Sequence, residues 1–421
     1  MGTKTDEYER FVNPAWSDVV QLAGLNTKPV SASGSWITMQ GGSRFLDFVS
    51  GYGAMPFGHH LPALLYRLSN DLHSPLPNLN PLGISFDAGA LAAQLIELSG
   101  LPDGKVYFGS SGVEAVDAAL KFAMVHTRRK GILTIGGGFH GLSHTATWLA
   151  GNSFWRRNLT PPPEDFKQVD FGDVAAIRAH LARKDVAAVL LEPVQGTAGA
   201  RVWNREDLAD IASECDLYGT VLIFDEILSG LGRTGDWFAY QTLRASPPQM
   251  VLLSKALTGG LFPVSAVLMR NSIYQSMFGR EGAAKIHGST FSGNRLGMRC
   301  GLHVLTLLRE LKLRMNVCTQ GERLRNGIEH AGASLGLRCD GIGLALSIRT
   351  TPECLRHLGD AVAARLWHAL LNKNVLTIPA AHDPASIRLL PPLNVTASEI
   401  DFFIQAYEAA LLDMQNEQEA T

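Results

Sequence analysis

Three charged residues stand where charge is hard to keep. Met250-Val251-Leu252-Leu253 runs straight into Ser254-Lys255, Val221–Phe224 into Asp225-Glu226, and Val186–Leu191 into Glu192-Pro193. A lysine at the end of a buried strand either reaches out to water or keeps a poorly solvated ammonium, whose pKa falls toward that of a reactive free amine. Carboxylates so placed are costly unless a cation meets them or the strand end is exposed. Three apolar runs thus deliver Glu192, Asp225 and Lys255 toward one edge. A fourth, Lys105–Gly109, opens into Ser110-Ser111-Gly112-Val113, small residues entering a helix. Free amides and the positive end of the helix dipole make such a start an anion site, and Gly112 allows close backbone approach. The same residues would also serve simply as a tight turn and N-cap.

The elements that must position these residues follow from periodicity. Strands are predicted over Lys105–Gly109, Gly131–Ile135, Val186–Glu192, Val221–Asp225, Met250–Ser254 and Ser265–Met269. Several are apolar on both faces, as in a parallel sheet covered by helices. Val113, Val116, Leu120, Ala123 and Met124 share one helical face of Val113–His126, and Leu208–Tyr218 reads as a further helix. This βαβ rhythm predicts an α/β fold, whose ligands gather at the carboxyl ends of the strands. From about residue 312 the pattern becomes α+β: a helix near 314–333, strands near Gly343–Arg349 and Val375–Ile378, and a helix whose start is marked by the capping box Thr396-Ala397-Ser398-Glu399. The expected division is an N-terminal segment 1–50, with strands at Ser35–Met39 and Phe45–Phe48, packing with a small C-terminal α+β domain 312–421, and a large domain 51–311 between them.

Composition narrows the function. The chain has 421 residues, a net charge of −2, 46% hydrophobic and 18% charged residues, so a nucleic-acid partner is not expected. The five cysteines are scattered, without a C-x-x-C pair, which argues against a disulfide framework or a zinc site and for a reducing, cytoplasmic setting. No apolar run approaches a membrane span and no secretory leader is visible, so no membrane partner is expected. Gly230-Leu231-Gly232-Arg233-Thr234-Gly235 spells the dinucleotide fingerprint, yet it stands apart from the strand end and no helix follows.

One cofactor would use the whole set. Pyridoxal 5'-phosphate needs an amine for its Schiff base, a carboxylate beside its pyridine nitrogen, an anion site for its phosphate and an apolar face for its ring. Lys255, Asp225, Ser111-Gly112-Val113 and Phe139 could supply these four.

The chain resembles the class III pyridoxal-phosphate-dependent aminotransferases of fold type I, from about Pro29 to Leu412. The motifs, in order, are Phe45-Leu46-Asp47-Phe48 with Gly58-His59; Ser111-Gly112-Val113-Glu114-Ala115; Phe139-His140-Gly141; Glu192-Pro193-Val194-Gln195-Gly196; Phe224-Asp225-Glu226 with the Gly230–Gly235 run; Ser254-Lys255-Ala256-Leu257; and Gly288-Ser289-Thr290-Phe291-Ser292-Gly293-Asn294. The resemblance implies a large domain with a mostly parallel, seven-stranded type of sheet plus a smaller α+β domain, and a ping-pong transfer of an amino group from an amino acid or ω-amine to an oxo acceptor. It implies Lys255 as Schiff-base lysine and proton shuttle, Asp225 as partner of the pyridine nitrogen, and Ile227 and Phe139, with His140 beside it, at the ring. It also implies phosphate contacts from Ser111, Gly112 and Val113, and Glu192 as a supporting acid. Thr290 would reach the phosphate of a neighbouring subunit, which implies a homodimer with shared sites. Arg388, in Ile387-Arg388-Leu389-Leu390-Pro391-Pro392, matches the arginine that holds a substrate carboxylate, with solvated surface as its plainer reading.

Departures bear on substrate choice. Val113 stands where most relatives have Ser or Thr. Thr197 stands where some glutamate-using members have a Glu that neutralises the arginine, and Arg295 where proline is usual. Tyr52, Trp36, Phe57 and Trp148 are aromatic candidates for a pocket wall, and each is as well suited to the core or an interface. An aminomutase, epimerase or decarboxylase could use the same cofactor residues, because fold and cofactor do not fix the bond that breaks.

Overall fold

A computed structural model describes residues 6–101, 103–157 and 159–419. Its centre is a seven-stranded sheet in the order Lys105–Gly109, Ser265–Met269, Met250–Leu253, Val221–Asp225, Val186–Leu191, Gly131–Ile135, Phe166–Val169. Ser265–Met269 runs antiparallel to both neighbours, and the other pairs are parallel. All six strands expected from the sequence are in it. The seventh, Phe166–Val169, is short and exposed at its two central positions, so it lacks the continuous apolar run that reveals the others. Strands expected to end on Glu192 and Ser254 stop one residue earlier, at Leu191 and Leu253, which leaves both polar residues in the turns beyond the sheet.

Strand parity decides which residues meet. Ala188, Leu190, Val221, Ile223, Met250 and Leu252 pack on one face of the sheet, in one cluster with Ala115, Ala119 and Phe122 of the helix Gly112–Thr127. Val189, Leu191, Leu222, Phe224, Val251 and Leu253 pack on the other face. Side chains alternate along a strand, so Glu192 and Asp225 continue the rows of Leu190 and Ile223 and fall on the side of the Gly112 helix. Leu191 lies opposite Phe224, and Asp225 opposite Leu252; one step further along the sheet, Glu192 and Asp225 are neighbours.

Two smaller antiparallel sheets flank this body. Pro29–Ser33, Trp36–Met39 and Arg44–Asp47 form a meander, whose last strand also takes up Val375–Leu376 in parallel. Leu337–Ile342, Ala345–Thr350, Asp383–Leu389 and Ile378–Ala380 form the other, in that order. Helix Ala397–Glu419 begins with the box read from the sequence: the Thr396 hydroxyl accepts from the Glu399 amide and the Glu399 carboxylate from the Thr396 amide. The Gly230–Gly235 run is a series of buried turns, not a phosphate loop. Its Arg233, 2% exposed, donates to the carbonyls of Leu344 and Pro391, while Leu344 donates back to the Arg233 carbonyl.

One close approach ties the C-terminal helices to this turn. A Cβ on Gly321, in helix Leu313–Gly332, would overlap the Gly343 carbonyl, and Gly343 itself lies against the backbone of Arg233 and Thr234. Gly321→Ala gains about 1 kcal/mol of helix propensity. It loses about 1–3 kcal/mol or more to overpacking, because a backbone oxygen cannot swing aside. The expected outcome is a lower urea midpoint at unchanged m-value, and an unchanged or higher midpoint would show that the two backbones can part freely.

Candidate active site

The strand ends converge on a cavity of about 180 Å³ lined by Gly112, Val113, Phe139, His140, Gly141, Glu192, Asp225, Ile227, Leu228, Ser254 and Lys255. Eight residues named from the sequence are among them: Gly112, Val113, Phe139, His140, Glu192, Asp225, Ile227 and Lys255. A larger groove of about 330 Å³ runs between helices Val362–Asn372 and Ala397–Glu419, but its lining residues, such as Arg365 and Asp413, do not converge on a reacting point.

Asp225 is 4% exposed and is held from two sides. Its Oδ1 accepts from the Ile227 amide at 3.1 Å and its Oδ2 from His140 Nδ1 at 2.8 Å. Burial alone would push the His140 pKa down, but the bond and charge of Asp225, with the charge of Glu192, outweigh it and raise it. The other ring nitrogen, Nε2, is buried and has no hydrogen-bond partner among the described residues. Glu192 accepts the Phe139 amide at 2.8 Å. Burial drives its pKa up to about 7, helped by the charge of Asp225 and opposed by His140 and Lys255.

Lys255 follows the strand Met250–Leu253 in a left-handed backbone conformation, φ +30°, which turns its side chain out of the ladder into the cavity. Desolvation, then the positive charge of Arg388, lowers its pKa to about 8, against the pull of Asp225 and Glu192. Lys255 therefore faces a cavity and not open water, with its pKa drawn below that of an ordinary lysine.

The helix Gly112–Thr127 starts at this cavity, with the orphan amides that any helix N-terminus carries. Gly112 leaves room for Ile227 there: a Cβ would stand 3.1 Å from Ile227 Cδ1, so that side chain would have to give by a few tenths of an ångström. Val113 is covered by Gly141, whose φ of +114° and close approach to the valine admit no side chain. The Ser111 hydroxyl is not in the lining; it accepts from the Glu114 amide at 3.3 Å as the N-cap, so any part Ser111 plays toward an anion falls to its neighbours' amides. Leu228, Gly141 and Ser254 line the cavity without having been named as contacts, although they adjoin Ile227, His140 and Lys255 in sequence.

Arg388 and Tyr52 lie outside the lining and meet each other. The Leu390 amide donates to the Phe48 carbonyl at 2.7 Å, which pins the two segments together. Ser50, Gly51, Tyr52 and Gly53 all have positive φ, a left-handed turn that brings the Tyr52 ring to 5.9 Å from the guanidinium carbon. Arg388 is 7% exposed, its Nε has no hydrogen-bond partner, and among the described residues no carboxylate forms an ion pair with it. Thr197, at the position where a neutralising acid was considered, bonds instead to the Gly137 carbonyl. Thr290 is exposed and outside the cavity. Of the other aromatic candidates, Phe57 is core, Trp36 packs on Phe402, and Trp148 packs on His144 and donates to the Thr160 carbonyl; none lines the cavity.

An amine of lowered pKa, a buried carboxylate and a helix start stand around one cavity, between an aromatic and a branched aliphatic side chain. This arrangement fits pyridoxal 5'-phosphate. The sequence matches the family described as Aminotransferase class-III over residues 22–411. The chain belongs to the class-III aminotransferases. It is a transaminase, and its cofactor is pyridoxal 5'-phosphate. It is 34% identical to an acetylornithine aminotransferase of Streptomyces coelicolor, over 88% of this chain and 87% of that protein. It is 29% identical to the aminotransferase PigE of a Serratia strain over 96% of its own length, but spans only 52% of that longer protein. Its fold is that of an ornithine aminotransferase from Toxoplasma gondii, with a TM-score of 0.86 at 24% identity, covering 98% of this chain and 94% of that one. An amine transaminase from an uncultivated Pseudomonas species, solved with the cofactor bound, superposes with a TM-score of 0.82 at 25% identity, covering 92% and 95%.

The titration of Lys255 is open to direct measurement. In cofactor-free protein, the rate at which an amine-acylating reagent labels Lys255, followed by peptide mapping, should rise with a midpoint near pH 8. Removing the Arg388 charge with Arg388→Leu should move that midpoint upward, since a nearby cation disfavours the ammonium. A midpoint in the ordinary lysine range for both proteins would contradict the buried electrostatics described here.

Proposed function

We propose that the enzyme moves an amino group from a carboxylate-bearing amine, an α- or ω-amino acid, to an oxo acid by a two-stage ping-pong transfer, with Lys255 as proton carrier and Arg388 as the carboxylate anchor. The observation that carries the substrate class is the buried, unneutralised Arg388 beside Tyr52, with an Nε donor left unmade. A planar, two-pronged cation left unpaired in the structure calls for a bidentate anion.

The roles follow from the geometry. When bound, pyridoxal phosphate supplies the electron sink into which the bond to the donor's reacting carbon is drawn, and it keeps the nitrogen while the donor leaves as an oxo compound. Asp225, oriented by its two donors, would hold a proton on the pyridine nitrogen. His140 fixes the carboxylate in line by giving Nδ1–H to Oδ2. Gly112 and Val113 would offer their amides to the phosphate. Ile227 and Phe139 would bound the ring on its two sides. The Lys255 Nζ, its pKa lowered to about 8, would take the proton from the donor's carbon and return it to the other end of the conjugated system. Glu192, poised near pH 7, would hold or release a proton beside the ring without leaving a fixed buried charge.

A homodimer with shared sites belongs to this reading. Segments 76–86 and 285–295 are joined by Ser85 to the Gly293 carbonyl, by Lys285 to the Pro81 carbonyl and by the Arg295 amide to the Asn78 carbonyl. Together they expose Leu82, Ile84, Phe86, Ile286 and Phe291 around Thr290, an apolar surface suited to a second copy. A cytoplasmic setting is supported by five free cysteines, four of them buried. No described helix is long and apolar enough to cross a membrane.

The test is a visible-absorption titration of the purified holoenzyme with amino acids, ω-amino acids and simple amines, without acceptor. The expected outcome is bleaching of the cofactor band with one equivalent of oxo product per site, for carboxylate-bearing donors at lower concentration than for simple amines. A band that shifts and recovers without oxo product would favour an epimerase, mutase or decarboxylase. Lys255→Ala should fold and dimerise, yet turn over at least about a hundredfold more slowly; near-wild-type turnover would remove Lys255 from the mechanism.

A further inference from the structure

Three loops and one turn meet behind Phe139, at residues that do not themselves line the cofactor cavity. The turn is residues 381–382, between Ile378–Ala380 and Asp383–Leu389, the hairpin that carries Arg388. The His382 amide donates to the Thr197 carbonyl at 2.9 Å, and Asn152 Nδ2 donates to the Ala381 carbonyl at 3.2 Å. The His382 ring is engaged at both nitrogens: Trp155 Nε1–H donates to Nε2 at 2.8 Å, and Nδ1 lies 2.9 Å from the Gly137 carbonyl. An indole nitrogen can only donate, so Nε2 must be the acceptor; a carbonyl can only accept, so Nδ1 must carry the hydrogen. The network therefore specifies one tautomer of a neutral imidazole. The rings of Trp155 and His382 also pack at 5.8 Å and 6.2 Å from that of Phe139.

The hairpin transmits this anchorage. Its ladder shifts register, so that Ala380 faces Asp383 while the adjacent Pro379 faces Ile387, and Ile378 faces Arg388. Residues 384–386 are set aside from the ladder, and Arg388 lies only two ladder steps from the anchored end. The loop bearing Trp155 is itself fixed to the Phe139 loop: the Gly151 amide donates to the Gly138 carbonyl at 2.8 Å, and a Cβ on Gly151 would overlap the Gly137 backbone.

We propose that His382, as a neutral imidazole accepting from Trp155 and donating to Gly137, is a positioning residue that latches the Arg388 hairpin to the Phe139 loop and so sets the carboxylate anchor relative to the cofactor face. This rests on the reading of Arg388 given above. Protonation of His382 would turn Nε2 into a donor facing the Trp155 N–H and open the latch. The groups around the ring set when this happens. Arg388 on its own hairpin, Arg201 on the strand Arg201–Val202 and His140 in the Phe139 loop all oppose a positive charge, while Asp383 is engaged by Ser386 and lies 4.0 Å from Arg349. Burial, the larger cause, acts in the same direction as these cations; the Gly137 bond acts against it, and the net shift of the pKa is downward. The sign follows: a histidine whose folded pKa lies below its unfolded value keeps the latch above about pH 6.5 and loses it as the pH falls through the lowered value.

The experiment measures inhibition of the holoenzyme by glutarate, a dicarboxylate without a reacting group, together with KM and kcat for the amino donor selected by the spectral titration. Trp155→Phe, which keeps a ring against Phe139 but removes the N–H, should raise the glutarate inhibition constant and KM roughly three- to tenfold, the factor carried by one net hydrogen bond, while kcat falls far less. In the wild type the inhibition constant should climb further as the pH drops below about 6.5. In His382→Gln, whose amide oxygen accepts from Trp155 at any pH, that acid rise should vanish. Arg388→Leu separates the two readings. If it weakens glutarate while Trp155→Phe and His382→Gln leave both the constant and its pH profile unchanged, the latch is overturned and the Arg388 reading stands. If Arg388→Leu has no effect on glutarate, the anchor reading fails and the latch inference fails with it.

Discussion

The structure is organised by the need to keep Glu192, Asp225 and Lys255 beside one another at the edge of an apolar sheet. Each ion moved out of water costs several kcal/mol in effective terms, and only close, well-oriented partners offset this. The three groups answer the problem differently. Asp225 is met by an imidazole and an amide donor. Glu192 gives up part of its charge, titrating near pH 7, and Lys255 does the same near pH 8. A site whose acids and amine exchange protons close to neutrality is suited to moving protons, and the cost of burial is what brings it there.

The surrounding backbone is shaped by the same constraint. Glycine at 112 leaves room beside Ile227, and Gly141 turns at φ +114° to lie on Val113. Leu228 at the cavity wall fits because Gly53 and Gly196 both approach it without side chains. Gly53 belongs to the left-handed turn that carries Tyr52, so the wall of the cofactor cavity and the aromatic partner of Arg388 are packed as one unit. Arg233, buried with its Nη2 unpartnered, links the turn after the Asp225 strand to the C-terminal sheet through two carbonyls.

The cofactor half and the substrate half of the site are built by different means. Cofactor residues sit on strand ends and a helix start of the central sheet, where parity and register fix their positions. Tyr52 and His382 come from turns and Arg388 from an inner strand of a flanking sheet, and hydrogen bonds such as Leu390 to Phe48 and Trp155 to His382 tie these segments to the rest of the site. A scaffold of this kind keeps one chemistry constant and lets the anchor and its surroundings vary; the departure at Thr197 falls among these surroundings, whereas that at Val113 falls at the cofactor cavity itself.

Much of the cofactor half was legible in the sequence, because the signals there are local. Apolar runs of six or fewer residues mark the strands, alternation assigns Glu192 and Asp225 to one face, and a lysine after an apolar run announces itself. Thr396 and Glu399 cap their helix through contacts three residues apart, so the box could be read directly. Other features depended on distant partners and carried no local signal. Phe166–Val169 joins the sheet with two exposed residues in four, and only its pairing with Gly131–Ile135 makes it a strand. His140 meets Asp225 across 85 positions, and Trp155 meets His382 across 227. Thus the sequence by itself determined the fold class and the residues brought to the sheet edge, since these follow from local periodicity, and its motifs, through the family they resemble, implied the cofactor. The tertiary structure alone decided which imidazole orders Asp225, which ring faces Arg388 and what pins the hairpin, since hydrogen bonds between separate loops depend on a geometry that exists only once the sheet has closed its register.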